Sequence, residues 1–319
     1  MEAAAHPPVT AEQVSAATAT IRGDVRRTPV LVLDDGTRGI GRPLTLKLES
    51  LQVTGTFKAR NAFALLRGAD VPPAGAIAAS GGNFGLAMAH AARRLGHPMT
   101  VVVPRDTPEV KLAAIRDQGA EVEVVPGPAA EAFSTAERRA TELDALLAHP
   151  YDLPEVVAGA GTCAVELEEQ APQLDTVLVA VGGAGLIGGI ATWYGGRVRV
   201  VGVETHGTAT LHDSMWAGER VAITASGIGA SALGAPRVGA LGWAAARRWV
   251  ERCLLVDDDE VRDAQRLLWS QARIVAEPGG AVALAALTSG AYVPDTTERV
   301  GVVVCGGNTD PSELAPTTP

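Results

Sequence analysis

Residues 76–104 read AIAASGGNFGLAMAHAARRLGHPMTVVVP and show the order strand, glycine turn, helix, strand. Small apolar and β-branched residues over Ala76–Ser80 and Thr100–Pro104 predict two short buried strands. The stretch Asn83–Leu95 between them predicts a helix, and Gly96 is a typical residue to end it. This order is the βαβ unit of a parallel sheet.

The same alternation continues on the C-terminal side of this unit. Further strands are predicted over Val122–Pro126, Thr176–Val181, Arg197–Glu204 and Arg299–Cys305, and further helices over Glu109–Gln118 and Ala129–Leu147. Strands that alternate with helices in this way form mainly parallel sheets flanked by helices. The sequence therefore predicts an α/β protein, in which His149-Pro150 is a plausible crossing between two domains.

The composition excludes several classes of partner. The chain has 319 residues and a net charge of -9, which argues against nucleic acid or an anionic membrane surface as a partner. No apolar run reaches the roughly 20 residues that a membrane-spanning helix needs. The three cysteines, Cys163, Cys253 and Cys305, have no paired spacing, which favours reduced thiols and a cytoplasmic protein.

Three glycine-rich turns follow predicted strands, at Ser80–Gly85, Gly182–Leu186 and Cys305–Asn308. Ligands bind at this edge of α/β sheets, where the N–H groups at a helix start attract anions. The first turn is also compatible with a plain strand-to-helix connection capped by a side chain. The second contains Gly183–Gly188, which matches G-x-G-x-x-G, and Glu204 follows about twenty residues later. An NAD-dependent oxidoreductase is therefore a competing interpretation.

Lys58 is one of only three lysines in the chain, within Thr54-Gly55-Thr56-Phe57-Lys58-Ala59-Arg60. Most other basic residues are arginines, which do not lose their proton and cannot act as amine nucleophiles. A lysine can do so when burial lowers its pKa. Lys58 is thus the best candidate for a Schiff base, although a surface lysine at a helix start would look the same.

Taken together, these motifs resemble the fold-type II pyridoxal-phosphate enzymes of the threonine/serine dehydratase branch, a tryptophan synthase β-like fold. Lys47–Arg60 resembles the family's lysine segment, Ser80–Gly85 its asparagine loop and Gly182–Leu186 its phosphate loop. Glu277–Ala281 resembles the Glu-Pro turn beside the cofactor ring. Cys305 stands where the family has Ser or Cys opposite the pyridine nitrogen. The resemblance runs from about Pro29 to Asp310.

The resemblance implies a role for each matching residue. Lys58 would carry pyridoxal 5'-phosphate as a Schiff base and act as the general base, and Asn83 would bond the cofactor's 3'-oxygen. The implied cofactor-binding residues are Phe57, Lys58, Asn83, Gly182, Gly183, Ala184, Gly185, Leu186, Glu277 and Cys305. The implied substrate-binding residues are Ser80, Gly81, Gly82 and Asn83.

The chain departs from the family's pattern at several positions. Ala184 replaces the middle glycine of the phosphate loop, where a positive φ would be strained. Gly81 stands where serine racemases have a second acid/base serine, so racemisation is disfavoured. Glu204 matches a divalent-cation ligand of some members, but the next acid of that site would align near Thr210, so no metal is predicted. Phe84 replaces a frequent histidine and makes the substrate side more apolar.

The resemblance implies β-elimination of L-threonine or L-serine to a 2-oxo acid and ammonia. A related β-elimination or β-replacement on another β-substituted amino acid is the alternative. The implied larger domain comprises residues 1–71 and 150–319, the smaller one comprises 72–149, and the cofactor lies between them. A homodimer is expected, as in the family.

Overall fold

The computed structural model describes residues 7–34 and 41–314. Its strands are β1 Val30–Leu33, β2 Leu44–Leu48, β3 Ala76–Ala79, β4 Met99–Pro104, β5 Glu121–Val125, β6 Leu146–Ala148, β7 Thr176–Ala180, β8 Arg199–Thr205, β9 Val250–Val256 and β10 Val300–Val304. Its α-helices are α1 Ala11–Ile21, α2 Lys58–Gly68, α3 Asn83–Leu95, α4 Glu109–Arg116, α5 Ala129–Leu143, α6 Pro154–Gln170, α7 Gly185–Tyr194, α8 Thr210–Ala217, α9 Ala230–Leu233, α10 Ala240–Trp249, α11 Asp258–Leu267 and α12 Pro278–Thr288.

The strands form two sheets. The six-stranded sheet has the order β1-β2-β10-β7-β8-β9, and the four-stranded sheet has the order β5-β4-β3-β6. β1 pairs with β2 in antiparallel fashion, and every other recorded pair is parallel. The prediction of a mainly parallel α/β fold flanked by helices is confirmed.

The predicted helix over Ala129–Leu147 was wrong in its last turn. The helix ends at Leu143 because Asp144 adopts a left-handed conformation with φ 52°, and the chain then forms the three-residue strand β6. β6 pairs in parallel with β3 and adds an edge strand to the smaller sheet. β1, β2 and β9 were also not predicted as strands.

All strands of the four-stranded sheet lie between residues 76 and 148, inside the segment that the sequence assigns to the smaller domain. The domain boundaries themselves stay a prediction. Residues 1–6, 35–40 and 315–319 of the predicted larger domain lie outside the described ranges.

Small residues let the helices next to the site approach closely. Gly159 on α6 lies so near α2 that an added Cβ would be 2.5 Å from the Cβ of Ala64 and 2.6 Å from the Arg60 carbonyl oxygen. This contact fixes α2, whose first residue is Lys58, against α6. Within residues 7–34 and 41–314, no helix is long and apolar enough to cross a membrane.

Candidate active site

The three glycine turns follow β3, β7 and β10, at the carboxyl ends of strands in both sheets. Two of them lead directly into helices, since α3 begins at Asn83 and α7 begins at Gly185. The third turn pairs with the lysine segment, because Thr56 and Gly306 form an antiparallel bridge. The fold therefore places four of the predicted motifs at strand ends or directly against them.

Lys58 stands at the first turn of α2. Its Nζ donates a hydrogen bond to the Pro150 carbonyl oxygen at 2.8 Å. The same Nζ lies 5.0 Å from the ring centroid of Phe57 and 5.6 Å from that of Phe84. Burial lowers the pKa of Lys58 to about 8, although the nearby Glu277 carboxylate acts in the opposite direction. Roughly a tenth of this amine is therefore neutral at pH 7, far more than for an ordinary lysine.

A buried ionic network anchors the chain around Lys58. Arg60 Nε contacts Glu49 at 2.7 Å, and Arg60 Nη1 contacts Glu166 at 2.8 Å. Lys47 Nζ contacts the same Glu166 at 2.7 Å. Two cations and two anions thus balance, as buried charges must. No sequence pattern predicts this network, because Glu166 lies 106 residues from Arg60.

The phosphate loop is enclosed by backbone and by an aromatic ring. A Cβ added to Gly183 would lie 2.3 Å from Cγ of Tyr151, and one added to Gly182 would lie 3.0 Å from the Leu233 backbone. Ala184 has φ +63°, so this non-glycine residue adopts the positive φ that the sequence analysis describes as strained. The first N–H groups of a helix have no partner within that helix, and α7 starts in this loop. The loop can therefore bind an anion such as phosphate.

The asparagine loop connects to the other sheet through side chains. Asn83 Nδ2 donates to Glu277 Oε1 at 2.7 Å, and Asn83 Oδ1 accepts from Asn308 Nδ2 at 2.8 Å. Asn83 is the first residue of α3 and not its cap; the cap position is Gly82. Burial raises the pKa of Glu277 to about 7, and the hydrogen bond from Asn83 acts against this rise.

Cys305 is a neutral donor at the end of β10. Its Sγ donates to the Gly279 carbonyl oxygen at 3.2 Å. Burial raises the pKa of this thiol, and the nearby Glu277 raises it further. A protonated thiol cannot supply the negative charge that would hold a pyridine nitrogen in its protonated form.

The structure brings Lys58, Asn83, Glu277 and Cys305 into one neighbourhood. Glu277 bonds Asn83 and acts electrostatically on Lys58, and the Cys305 carbonyl oxygen accepts a hydrogen bond from the N–H of Phe57, the residue before Lys58. The phosphate loop joins them through the segment after β6, because Pro150 bonds Lys58 and the next residue packs on Gly183. Ser80, Gly81 and Gly82 precede Asn83 in the same turn. The roles of all these residues stay predictions.

Sequence reasoning missed three residues beside these motifs. Tyr151 packs against the phosphate loop, Thr107 lies against Gly81, and Asn308 bonds Asn83. The only available signals were indirect: His149-Pro150 as a domain crossing, and the third glycine turn, which ends at Asn308.

Glu204 is engaged by protein donors. The backbone N–H groups of Leu211 and His212 donate to it at 2.9 and 2.8 Å, and the Cys253 thiol lies at 3.3 Å. The Thr210 hydroxyl lies 2.8 Å from the carboxylate. N–H groups pointing at a carboxylate are poor neighbours for a cation, so these residues do not fit a divalent ion. In the described ranges no group of three or more His, Cys, Asp or Glu could hold a metal; that none binds stays a prediction.

The residues fit pyridoxal phosphate. A lysine with a lowered pKa, a neutral donor at a strand end and a glycine cradle at a helix start are the groups that this cofactor requires. Lys58 would hold it covalently, and the turn at Gly182–Leu186 would hold its phosphate.

Comparisons with known proteins agree with this fit. The family model of the pyridoxal-phosphate dependent enzymes matches residues 21–306, and the chain belongs to this family. Phenylserine dehydratase of Ralstonia pickettii is 38% identical over 91% of this chain and 90% of its own. L-threonine ammonia-lyase of Geobacter sulfurreducens is 35% identical over 91% of this chain and 73% of its own. The structure of maize serine racemase superimposes with a TM-score of 0.91 at 29% identity, covering 97% of this chain and 96% of the racemase.

The chain is thus a fold-type II enzyme of the threonine/serine dehydratase family, a pyridoxal-phosphate-dependent ammonia-lyase. The predicted cofactor is confirmed, and the chemistry is β-elimination from an amino acid. The dinucleotide interpretation of Gly183–Gly188 is set aside, because the family match assigns this chain to a different cofactor.

Proposed function

We propose that this enzyme eliminates water from L-threonine or L-serine, and that the product hydrolyses to a 2-oxo acid and ammonia. The observation that carries the proposal is the position of Lys58, a lysine of lowered pKa that lies near the rings of Phe57 and Phe84 and donates a hydrogen bond to Pro150. Bound pyridoxal phosphate withdraws electrons from the α-carbon of an attached amino acid and acidifies its α-proton.

Each residue has one task in this proposal. Lys58 takes the α-proton as general base and returns a proton to the leaving hydroxyl group. Asn83 bonds the cofactor's 3'-oxygen, and the turn amides at Ser80–Gly82 bind the substrate carboxylate. Cys305, as a neutral thiol, does not stabilise negative charge spread into the ring, so the leaving group departs before the α-carbon is reprotonated.

Racemisation requires a second proton donor on the opposite face, and Gly81 has no side chain. A Cβ added there would lie 2.8 Å from Oγ1 of Thr107 and 2.6 Å from its Cγ2. The Thr107 side chain therefore occupies the space where a serine side chain at position 81 would begin. This crowding supports elimination over the racemisation that the maize relative's name describes.

A larger β-substituent is the second candidate. Phe84 places an aromatic ring beside Lys58, and a 38% identical relative is a phenylserine dehydratase. An apolar wall next to the reacting centre suits an aromatic side chain better than a hydroxymethyl group. The homodimer and the two-domain division at residues 71 and 150 remain part of the proposal on the same family grounds.

The test is to incubate the holoenzyme with L-threonine, L-serine and phenylserine in turn. We expect 2-oxo acid and ammonia in equal amounts, and recovered substrate that stays in the L-form. Thr107→Val removes the hydroxyl near Gly81 and should leave this outcome unchanged, whereas Gly81→Ser combined with Thr107→Ala should raise the D-isomer fraction. Abundant D-isomer from the parent, or a stable substitution product in place of 2-oxo acid, would contradict the proposal.

A further inference from the structure

The turn after β10 is fastened to the lysine segment by backbone hydrogen bonds. The Phe57 N–H donates to the Cys305 carbonyl oxygen at 3.1 Å, and the Gly307 N–H donates to the Gly55 carbonyl oxygen at 2.9 Å. Asn308, the next residue of the turn, is therefore held in a fixed position relative to the start of α2.

The amide of Asn308 has its orientation set by this segment. Its Nδ2 donates to the Thr54 carbonyl oxygen at 2.8 Å, and a carbonyl can only accept. Its Oδ1 lies in the space that a side chain at Gly55 would occupy, 2.1 Å from the ideal Cβ position. The nitrogen of the amide must therefore face Thr54.

The same nitrogen then sets the orientation of Asn83. Asn308 Nδ2 also donates to Asn83 Oδ1 at 2.8 Å, and a rotated Asn83 amide would place two NH₂ groups against each other. Asn83 Nδ2 consequently points to Glu277, which accepts one of its hydrogens at 2.7 Å. An amide nitrogen carries two hydrogens, so one more is available to donate.

We propose that Asn308 is a positioning residue, which holds the Asn83 amide with its nitrogen toward the cofactor's 3'-oxygen. This inference rests on the role given to Asn83 in the proposed function. The Thr54 carbonyl oxygen fixes the orientation of the Asn308 amide, and the Asn308 amide in turn fixes the orientation of the Asn83 amide. Asn308 thus links the lysine segment, in the larger sheet's half of the protein, to the asparagine loop that follows β3.

The test is a double-mutant cycle read by the pH titration of the bound cofactor's visible absorption, without substrate. A hydrogen bond to the 3'-oxygen stabilises its ionised form, so Asn83→Ala should raise the titration midpoint by about one pH unit. Asn308→Asp presents only acceptors to Asn83 and should rotate its amide. We therefore expect the Asn308→Asp substitution to raise the midpoint in both backgrounds. The rise in the parent enzyme should exceed the rise in the Asn83→Ala enzyme by about one pH unit.

The cycle subtracts the direct effect of the added negative charge, because that charge acts in both backgrounds. Asn308→Ala, which adds no charge, should show a smaller coupling of the same sign and serves if the Asp variant does not retain cofactor. Equal shifts of Asn308→Asp in both backgrounds would overturn the inference. An unchanged midpoint in Asn83→Ala would also overturn the inference, because Asn83 would then not bond the cofactor's 3'-oxygen. The substrate assignment is tested separately by product analysis and would stand.

Discussion

The turn at Gly182–Leu186 and the turn at Ser80–Gly85 both lead from a parallel strand into a helix, yet they are held differently. Backbone and ring atoms enclose the first: the Gly239 N–H donates to the Gly183 carbonyl oxygen at 3.0 Å, and Tyr151 covers the same glycine. The second turn is held by hydrogen bonds of the Asn83 side chain to the side chains of Glu277 and Asn308. At Gly82 an added Cβ would find its nearest atom 4.0 Å away, and at Gly81 the nearest atoms belong to a side chain, that of Thr107.

This difference indicates a division of labour. A turn enclosed by backbone is formed before the ligand arrives and suits a constant group such as phosphate. A turn joined by side-chain hydrogen bonds can adjust when substrate binds. Mutations in the first should therefore weaken cofactor binding, and mutations in the second should slow turnover.

The largest effect is expected from Asn83→Ala. Removing a preorganised donor at the reacting centre should lower kcat on the order of 10²-fold. The cofactor should stay bound, because Lys58 and the phosphate loop are intact. Turnover and the cofactor content after dialysis are the two measurements. If the Asn83→Ala enzyme turned over as fast as the parent, the claim that the asparagine loop serves turnover would be wrong.

Gly183→Ala should produce the opposite pattern. Its Cβ would lie 2.3 Å from Cγ of Tyr151, so the ring or the loop must shift. Overpacking costs about 1–3 kcal/mol, which corresponds to cofactor affinity weakened by roughly 5- to 150-fold. Titration of apoenzyme with cofactor measures this. Gly23→Ala is the matched control, since a Cβ there meets nothing within 4 Å; unchanged affinity in Gly183→Ala would contradict the enclosed loop.

The pH dependence of cofactor binding by Lys58 tests the part of the site that is formed before the ligand arrives. The neutral amine is the nucleophile, and burial lowers the pKa of Lys58 to about 8. The reconstitution rate of apoenzyme should rise about tenfold per pH unit below pH 8 and level off above it. Dividing by the rate of Nα-acetyl-lysine with the cofactor, after correcting that rate for the neutral fraction of its ε-amine, removes the cofactor's own titration. A normalised rate that keeps rising about tenfold per pH unit well above pH 8, as an ordinary lysine would give, would contradict the lowered pKa.

Ala184→Gly should have the smallest effect. Glycine relieves the strain of φ +63°, but the variant loses a buried methyl group and gains backbone freedom when unfolded. These contributions oppose each other, so the free energy of unfolding should change by less than ~1 kcal/mol. Cofactor affinity should be unchanged, because the N–H group remains. Denaturant unfolding measures the change, and a loss above ~2 kcal/mol would show that Ala184 packs the loop.

Local patterns were sufficient to predict much of the fold. The helix over Asn83–Leu95 lies where the sequence predicts it, because a glycine turn starts it and Gly96, with φ +79°, ends it. The three-residue strand β6 was missed, because such a segment is too short to show the alternation of apolar and polar residues that predicts a strand. Its strand character comes from pairing with β3.

The contacts within the site lay beyond the sequence pattern. Asn83 bonds Glu277 across 194 residues and Asn308 across 225, and no spacing rule reaches so far. The motifs named the participating turns, but their partners depend on how the two sheets pack. Tyr151 and Thr107 were missed for the same reason: each acts by filling the space that a glycine leaves.

The most direct test of the account uses the scarcity of lysine. Borohydride reduction fixes the cofactor covalently to the lysine that carries it, and peptide mass spectrometry then distinguishes Lys47, Lys58 and Lys111, the chain's three lysines. We expect the label on the peptide that contains Lys58, and none on Lys58→Ala protein treated in the same way. A label on Lys47 or Lys111, or a labelled Lys58→Ala variant, would contradict the assignment of this site.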